Sequence, residues 1–150
     1  MTTLKEIADF VERHPEICDA GRPATDELIA KAERYLGVQF PDDYRAFLKK
    51  WGTLAIGPLE FYGICTADFA SSSVPDAIWY TQRQRQRLGL PRELIILADN
   101  QGVEYFCFDT SLNDRSRIVV WDANSRTIRA IKAESLFEFV LNESADFVEP

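Results

Sequence analysis

The residue types that most often do chemistry are sparse in this chain and badly spaced for it. Cys18, Cys65 and Cys107 lie far apart with no C-x-x-C pair, and His14 is the only imidazole, so they assemble no zinc site of ordinary composition. A hydrolytic triad would have to be built around His14, which the pattern puts at a helix end before Pro15. Cys107 sits in Tyr105-Phe106-Cys107-Phe108, where a small thiol packs among apolar neighbours and lacks the cations that favour a thiolate. Glu104 and Asp109 fall on one predicted strand at roughly 16 Å between Cα atoms. A glycosidase pair spans only about 5–9.5 Å, and these two carboxylates face opposite sides. Asp109-Thr110-Ser111-Leu112-Asn113 imitates the start of a calcium loop, but Asp114 stands where that loop needs Gly and Val120 where it needs a bidentate Glu. No glycine-rich loop has phosphate-binding spacing, and Gly89-Leu90-Pro91 lacks both further glycines and a following helix. No catalytic residue, metal or cofactor is expected.

Binding is the better prospect. The 150 residues hold 24 acidic and 17 basic side chains, a net charge of −7 with 46% apolar residues. That balance fits one globular domain able to bury a core without disulfides. It opposes non-specific nucleic-acid binding and docking on anionic membrane, and favours a basic partner. Thr81-Gln82-Arg83-Gln84-Arg85-Gln86-Arg87 is the one basic run, and as a helix it turns Arg85 away from Arg83 and Arg87, which reads as a solvated helix end. From Ala133 onward the bias reverses, with Glu134, Glu138, Glu143, Asp146 and Glu149 and no Lys or Arg. Acids on loops or strand ends, namely Glu60, Asp68, Asp76, Asp99 and Asp122, are the expected partner-binding residues. Trp79 and Tyr80 depart from their helical stripe and read either as aromatic anchors for a partner or as packing under the preceding loop, whereas Trp51 and Trp121 read as core.

Those residues need elements to hold them. Thr3-Leu4-Lys5-Glu6 is a capping box opening a first helix that ends at His14. Thr25 caps a second, with Leu28, Ile29, Ala32 and Leu36 on one stripe and Gly37 after its close. Pro41 opens a third, along Tyr44, Phe47, Leu48 and Trp51. Leu59–Tyr62 reads as a short strand, and Ser73-Val74-Pro75-Asp76 starts a helix with the stripe Val74, Ala77, Ile78, Thr81, Arg85 and Leu88. Strands are expected at 94–98, 103–109, 118–121 and 127–131, with 99–102 as a turn. Ser135-Leu136-Phe137-Glu138 caps a last helix along Leu136, Phe139, Val140 and Phe147. The fold class is α+β: a mostly antiparallel sheet covered on one face by helices, with three helices N-terminal and one C-terminal. Nothing resembling a signal peptide or membrane span occurs, so the cytoplasm is the expected compartment.

The run Ile29-Ala30-Lys31-Ala32-Glu33-Arg34-Tyr35-Leu36-Gly37-Val38-Gln39-Phe40-Pro41-Asp42-Asp43-Tyr44-Arg45-Ala46-Phe47-Leu48, followed by Trp51-Gly52, resembles the signature of the SUKH superfamily, named from fungal cell-wall-synthesis regulators (Smi/Knr type). Leu59-Glu60-Phe61-Tyr62-Gly63, Gly102–Asp109 and Val119-Val120-Trp121-Asp122 are similar to its strands, so the likeness spans about residues 25–142. The loop Thr66–Ser73 and the arginine run match no family motif. The resemblance implies a single SUKH-like domain over 1–150. It also implies an immunity protein that binds and neutralises a polymorphic or contact-dependent toxin domain, often a nuclease. The matched residues themselves explain packing and capping, not recognition. A regulatory scaffold of the same superfamily, or a small carboxylate-based hydrolase, are the alternatives.

Overall fold

The computed structural model describes residues 2–111 and 116–147; part of the calcium-like run, Leu112 to Asp114, and Glu149 of the acidic C-terminal stretch lie outside them. The first two helices start where capping chemistry dictates. Before α1 (Leu4–Arg13), Thr3 Oγ1 accepts from Glu6 N–H, and before α2 (Asp26–Leu36), Thr25 Oγ1 accepts from Leu28 N–H at 3.1 Å. Helix α2 closes on Gly37 at φ +71°, the left-handed turn that satisfies its last carbonyls. Pro41 lies one position ahead of α3 (Asp42–Lys50), and Asp42 and Asp43 provide the negative charge at its positive end. Tyr44, Phe47, Leu48 and Trp51 are all buried, as the stripe requires. Glu33 Oε2 accepts from Phe40 N–H and from Arg45 Nη2, each at 2.7 Å, and so fixes the angle between α2 and α3.

The strands form two sheets where one was expected. In the first, β1 (Cys18–Ala20), β2 (Leu54–Ile56) and β3 (Leu59–Phe61) pair antiparallel in that order. The second is an antiparallel meander of β4 (Leu94–Asn100), β5 (Glu104–Asp109), β6 (Ile118–Asp122) and β7 (Thr127–Ala133). Its first turn is tighter than expected, with β4 running on to Asn100 and the reversal carried by Gln101 and Gly102 at φ +55° and +73°.

Helices cover both faces of the four-stranded sheet, not one. Ile95, Leu97, Phe108 and Ile118 join the main core with Ile7, Leu36, Phe47 and Leu136. Leu94, Ile96, Tyr105, Cys107, Val119 and Trp121 face the other way, with Ala77 of α4 (Ala77–Leu88) and Leu90. The physical reason is legible in β4 itself, because a continuous aliphatic run offers apolar side chains to both faces and needs a cover on each. Helix α4 begins one residue after Asp76. Ala77, Ile78, Thr81 and Gln84 are its buried positions, while Val74 precedes the helix and is exposed, so the expected stripe shifts by part of a turn.

Arg85 is a structural residue and not a solvated one. Its Nη1 donates to Leu36 O at 2.8 Å and its Nη2 to Arg92 O at 2.6 Å, joining the end of α2 to the approach to β4. The last helix, α5 (Leu136–Ser144), starts at Ser135, whose Oγ accepts from Glu138 N–H. It breaks into a 3-10 turn at Ala145–Phe147, which takes Phe147 off the stripe and leaves it exposed.

Strand β7 forms one edge of its sheet and its register slips twice. Ile118 and Val119 pair with Ala133 and Ile131, and Val120 and Trp121 with Ala130 and Ile128, so Lys132 and Arg129 are the extra residues of two bulges.

Candidate functional site

Just after β3 the chain crosses the free edge of β4, where Tyr62 N–H donates to Leu97 O at 2.7 Å. It then pins the start of α4: Gly63 N–H donates to Pro75 O at 3.1 Å, and Ala77 N–H donates to Gly63 O at 2.7 Å. The close approach needs glycine. A Cβ on Gly63 would lie 1.6 Å from Gly52 O, the acceptor of Ile64 N–H.

Asp76 locks this junction from inside. Its Oδ1 accepts from the amides of Ile78 at 2.9 Å and Trp79 at 3.1 Å, and its Oδ2 from Ser72 Oγ at 3.1 Å and the Cys65 amide at 3.4 Å. Burial raises its pKa, and the four hydrogen bonds oppose that rise. Asp76 therefore meets no solvent, and as a surface contact the expectation is corrected: its short carboxylate is consumed by capping the helix that carries Trp79 and Tyr80.

With α4 so placed, Asp99 near the end of β4 becomes the hub of a polar cluster. Tyr62 Oη donates to its Oδ1 at 2.6 Å, Tyr80 Oη to its Oδ2 at 2.8 Å, and the Gly102 amide to Oδ2 at 3.2 Å. Burial, and then the bond to the Asp99 carboxylate, push the Tyr62 pKa far up. Tyr80 is raised by burial, then by its hydrogen bonds to Tyr105 and Asp99, so both phenols stay neutral donors at physiological pH. Trp79 stacks on Tyr80 with the ring planes 14° apart, and the Arg83 guanidinium lies over the Trp79 ring at 5.4 Å from its centroid.

Beside Asp99 a cleft of about 260 Å³ opens between β3, the edge of β4 and α5. Glu60, Asp99 and Glu143 line it together with the rings of Phe61, Phe106 and Phe139. The rings brace one another: Phe61 meets Phe139 edge-on at 6.0 Å and Phe106 tilts against Phe139 at 5.4 Å. Of the three carboxylates only Asp99 is held by hydrogen bonds among the described residues, and its pairing opposite Tyr105 puts its side chain on the α4 face of the sheet, away from the buried rings of Phe61 and Phe139.

Of the residues expected from sequence, Glu60 and Asp99 line this cleft, and Tyr80 and Trp79 stand behind it. Asp68 is exposed in a different place, on the loop held to α2 by Phe69, which packs on Tyr35, and by Lys31 Nζ donating to Ala67 O. Asp122 pairs across the sheet with Glu104, and Arg129 bridges the two carboxylates. Sequence reasoning passed over Tyr62, Glu143 and the three rings as site residues. Glu143 had a signal, since it falls one helical turn after Phe139 on the same side of α5.

The cysteines are quiet. Burial, with the Asp76 and Glu60 charges behind it, pushes the Cys65 thiol up to about 11, and burial raises Cys107 further still. Both are protonated at neutral pH, the form that is neither nucleophile nor metal ligand. Among the described residues no three His, Cys, Asp or Glu side chains are grouped to hold a metal ion, and no helix is long and apolar enough to cross a membrane.

The α+β architecture and its helix-capped signature define a chain of the SMI1-KNR4 class. The chain belongs to the SMI1-KNR4 cell-wall family, whose SUKH_5 model matches residues 4–145. Its fold is similar to that of a solved structure described as a protein from Pseudomonas syringae pv. tomato, at a TM-score of 0.69 and 18% identity, covering 90% of this chain and 96% of that one. No curated protein matches the sequence.

Proposed function

We propose that the chain, as a single SUKH-like domain over residues 1–150, is a cytoplasmic immunity protein. It binds the toxic domain of a polymorphic or contact-dependent toxin and blocks it by covering a basic active groove, making and breaking no bonds itself. The observation that carries this reading is the gathering of three acids, Glu60, Asp99 and Glu143, around one cleft on a protein of net charge −7. A nuclease is the toxin class that fits best, because a groove built for a polyanion must be cationic and would attract this surface. Family membership supports the reading further. An interface of ordinary size, about 1,200–2,000 Å² in total, would extend from the cleft over Trp79 and Tyr80. On this reading Glu60, Asp99, Trp79 and Tyr80 contact the partner, Asp68 and Asp122 lie outside the central patch, and Asp76 acts only by positioning.

A carboxylate hydrolase has less support. Asp122 is spent on Arg129 and on the Asn124 amide, and Asp109 on the amide and hydroxyl of Ser111.

The test is co-expression with the toxic domain encoded beside this gene. Restored growth and a co-purifying complex are expected. If that domain is neither bound nor neutralised, the reading falls.

A further inference from the structure

We infer that the sheet face of β7 carrying Ile128 and Ile131 receives an acidic amphipathic helix of a protein partner. The inference goes beyond the proposed function and does not rest on it, because it concerns a cationic surface and an acidic occupant.

The apolar layer under α4 outruns its cover. Asp99, Tyr105, Trp121 and Ile128 form one row across the four strands, and Ile96, Cys107, Val119 and Ile131 form the next. On β5 and β6 the rows are buried, with Trp121 at 1% and Val119 at 6%, yet Ile128 and Ile131 at their ends are 50% and 56% exposed. Residues three apart on a regular strand face opposite sides. Arg129, the extra residue of the bulge between them, turns both isoleucines to the α4 side.

The spacing selects a helix. The β6 partners of the two isoleucines are two residues apart, which sets the pair roughly 7 Å apart along the sheet. Apolar side chains at i and i+4 of an α-helix are about 6 Å apart along its axis and would seat on both. An added strand fits badly, since the bulges break the register of the edge.

The charge selects an acid. Arg126 Nη1 lies 3.8 Å from the place a Cβ on Gly89 would take, so the last turn of α4, which holds Arg87, ends beside the β6–β7 turn. Among the described residues neither Arg87 nor Arg126 has an ion-pair partner. The other cations of this edge are spent on the far side, Arg129 on Glu104 and Asp122 and Lys132 over the Phe106 ring. Asp122 alternates away from Trp121, so no carboxylate of β6 or β7 shares the side of the isoleucines. A second copy is the poorer occupant. A two-fold contact would set these arginines against their own copies, and two isoleucines fall far short of the 800 Å² or so that a standard interface buries on each partner.

The experiment is an NMR titration of the ¹⁵N-labelled protein with three capped peptides of about 18 residues, long enough to form helix. The first carries leucine at i, i+4 spacing on one side and glutamate along its flanks. The second has lysine for every glutamate, and the third has the first one's composition in an order that scatters the leucines. The first is expected to shift the amides of Arg126, Ile128 and Ile131 saturably, and the other two to bind at least tenfold more weakly. The double variant Ile128→Thr/Ile131→Thr keeps β-branched side chains on the strand. With the rest of its spectrum unchanged, it is expected to bind the first peptide about tenfold more weakly. Arg87→Gln/Arg126→Gln is expected to weaken binding and flatten its salt dependence. Equal binding of the lysine or scattered peptide, shifts lying elsewhere, or no effect of either double variant would each overturn the inference. So would tighter binding of a single-stranded oligonucleotide at the same amides, or shifts there that depend on protein concentration alone, which would give the face to nucleic acid or to a second copy. The immunity reading is tested separately by co-expression and is untouched by any of these results.

Discussion

Asp76 carries more of the local structure than its place in the sequence suggests. From sequence it is one more acid at a helix start; in the fold it receives four donors at the junction of β3 and α4. Asp76→Ala loses a helix cap, about 1 kcal/mol, and leaves buried donors unmet, about 1–3 kcal/mol. The expected cost is therefore about 3 kcal/mol, read as a lowered urea midpoint at unchanged m-value. Asp76→Asn retains an acceptor and removes a buried charge, so it should cost clearly less. The pH dependence has a fixed sign. Because the folded pKa lies above the ordinary 3.8, the native state binds more protons in the window between the two values, and the stability that Asp76 contributes falls as pH rises through it. In parallel denaturation series from about pH 4 upward, the wild type should lose stability relative to Asp76→Asn. An opposite trend would contradict this account.

Among the elements, the contact between the end of α3 and β3 is the most exacting. Gly52 has φ +76°, and its carbonyl lies where a side chain on Gly63 would begin. Backbone cannot give way as a flexible side chain can, so Gly63→Ala must separate α3 from β3. An expected loss of at least about 3 kcal/mol follows, in the range of severe overpacking, with hydrogen-exchange protection lost first at Ile64 and Ala77. Wild-type-like protection in that variant would refute the reading.

Local signals made most elements legible beforehand. Thr3, Thr25 and Ser135 announce three helices because capping is chemistry between residues three apart. The meander is legible from β-branched and aromatic runs. What stayed hidden depends on distant partners. Strands β1 and β2 have three residues each, too few to show alternation, and exist because they pair with each other and with β3. Arg85 looks like its neighbours until the carbonyl of Leu36 arrives from another helix. The candidate site was half visible for the same reason. Asp99 and Tyr80 stood out as a turn acid and an off-stripe aromatic, but that Tyr62 joins them depends on how β3 crosses β4.

At the scale of the whole molecule, the −7 charge acts before any contact forms. On the proposed function, long-range attraction to a basic groove would raise the association rate and be screened by salt. The association rate constant with the toxic domain should therefore fall about tenfold or more between low and physiological ionic strength, with a much smaller change in dissociation. Stopped-flow fluorescence on Trp79 measures it, and an association rate insensitive to salt would remove electrostatics from the mechanism. The cationic side chains of β7 point to a different property. Each copy presents an edge whose two bulges put its amides out of step and whose extra residues are Arg129 and Lys132. A neighbouring copy finds no straight, neutral template to zip onto. A dense store of copies is therefore discouraged from turning fibrillar along this edge.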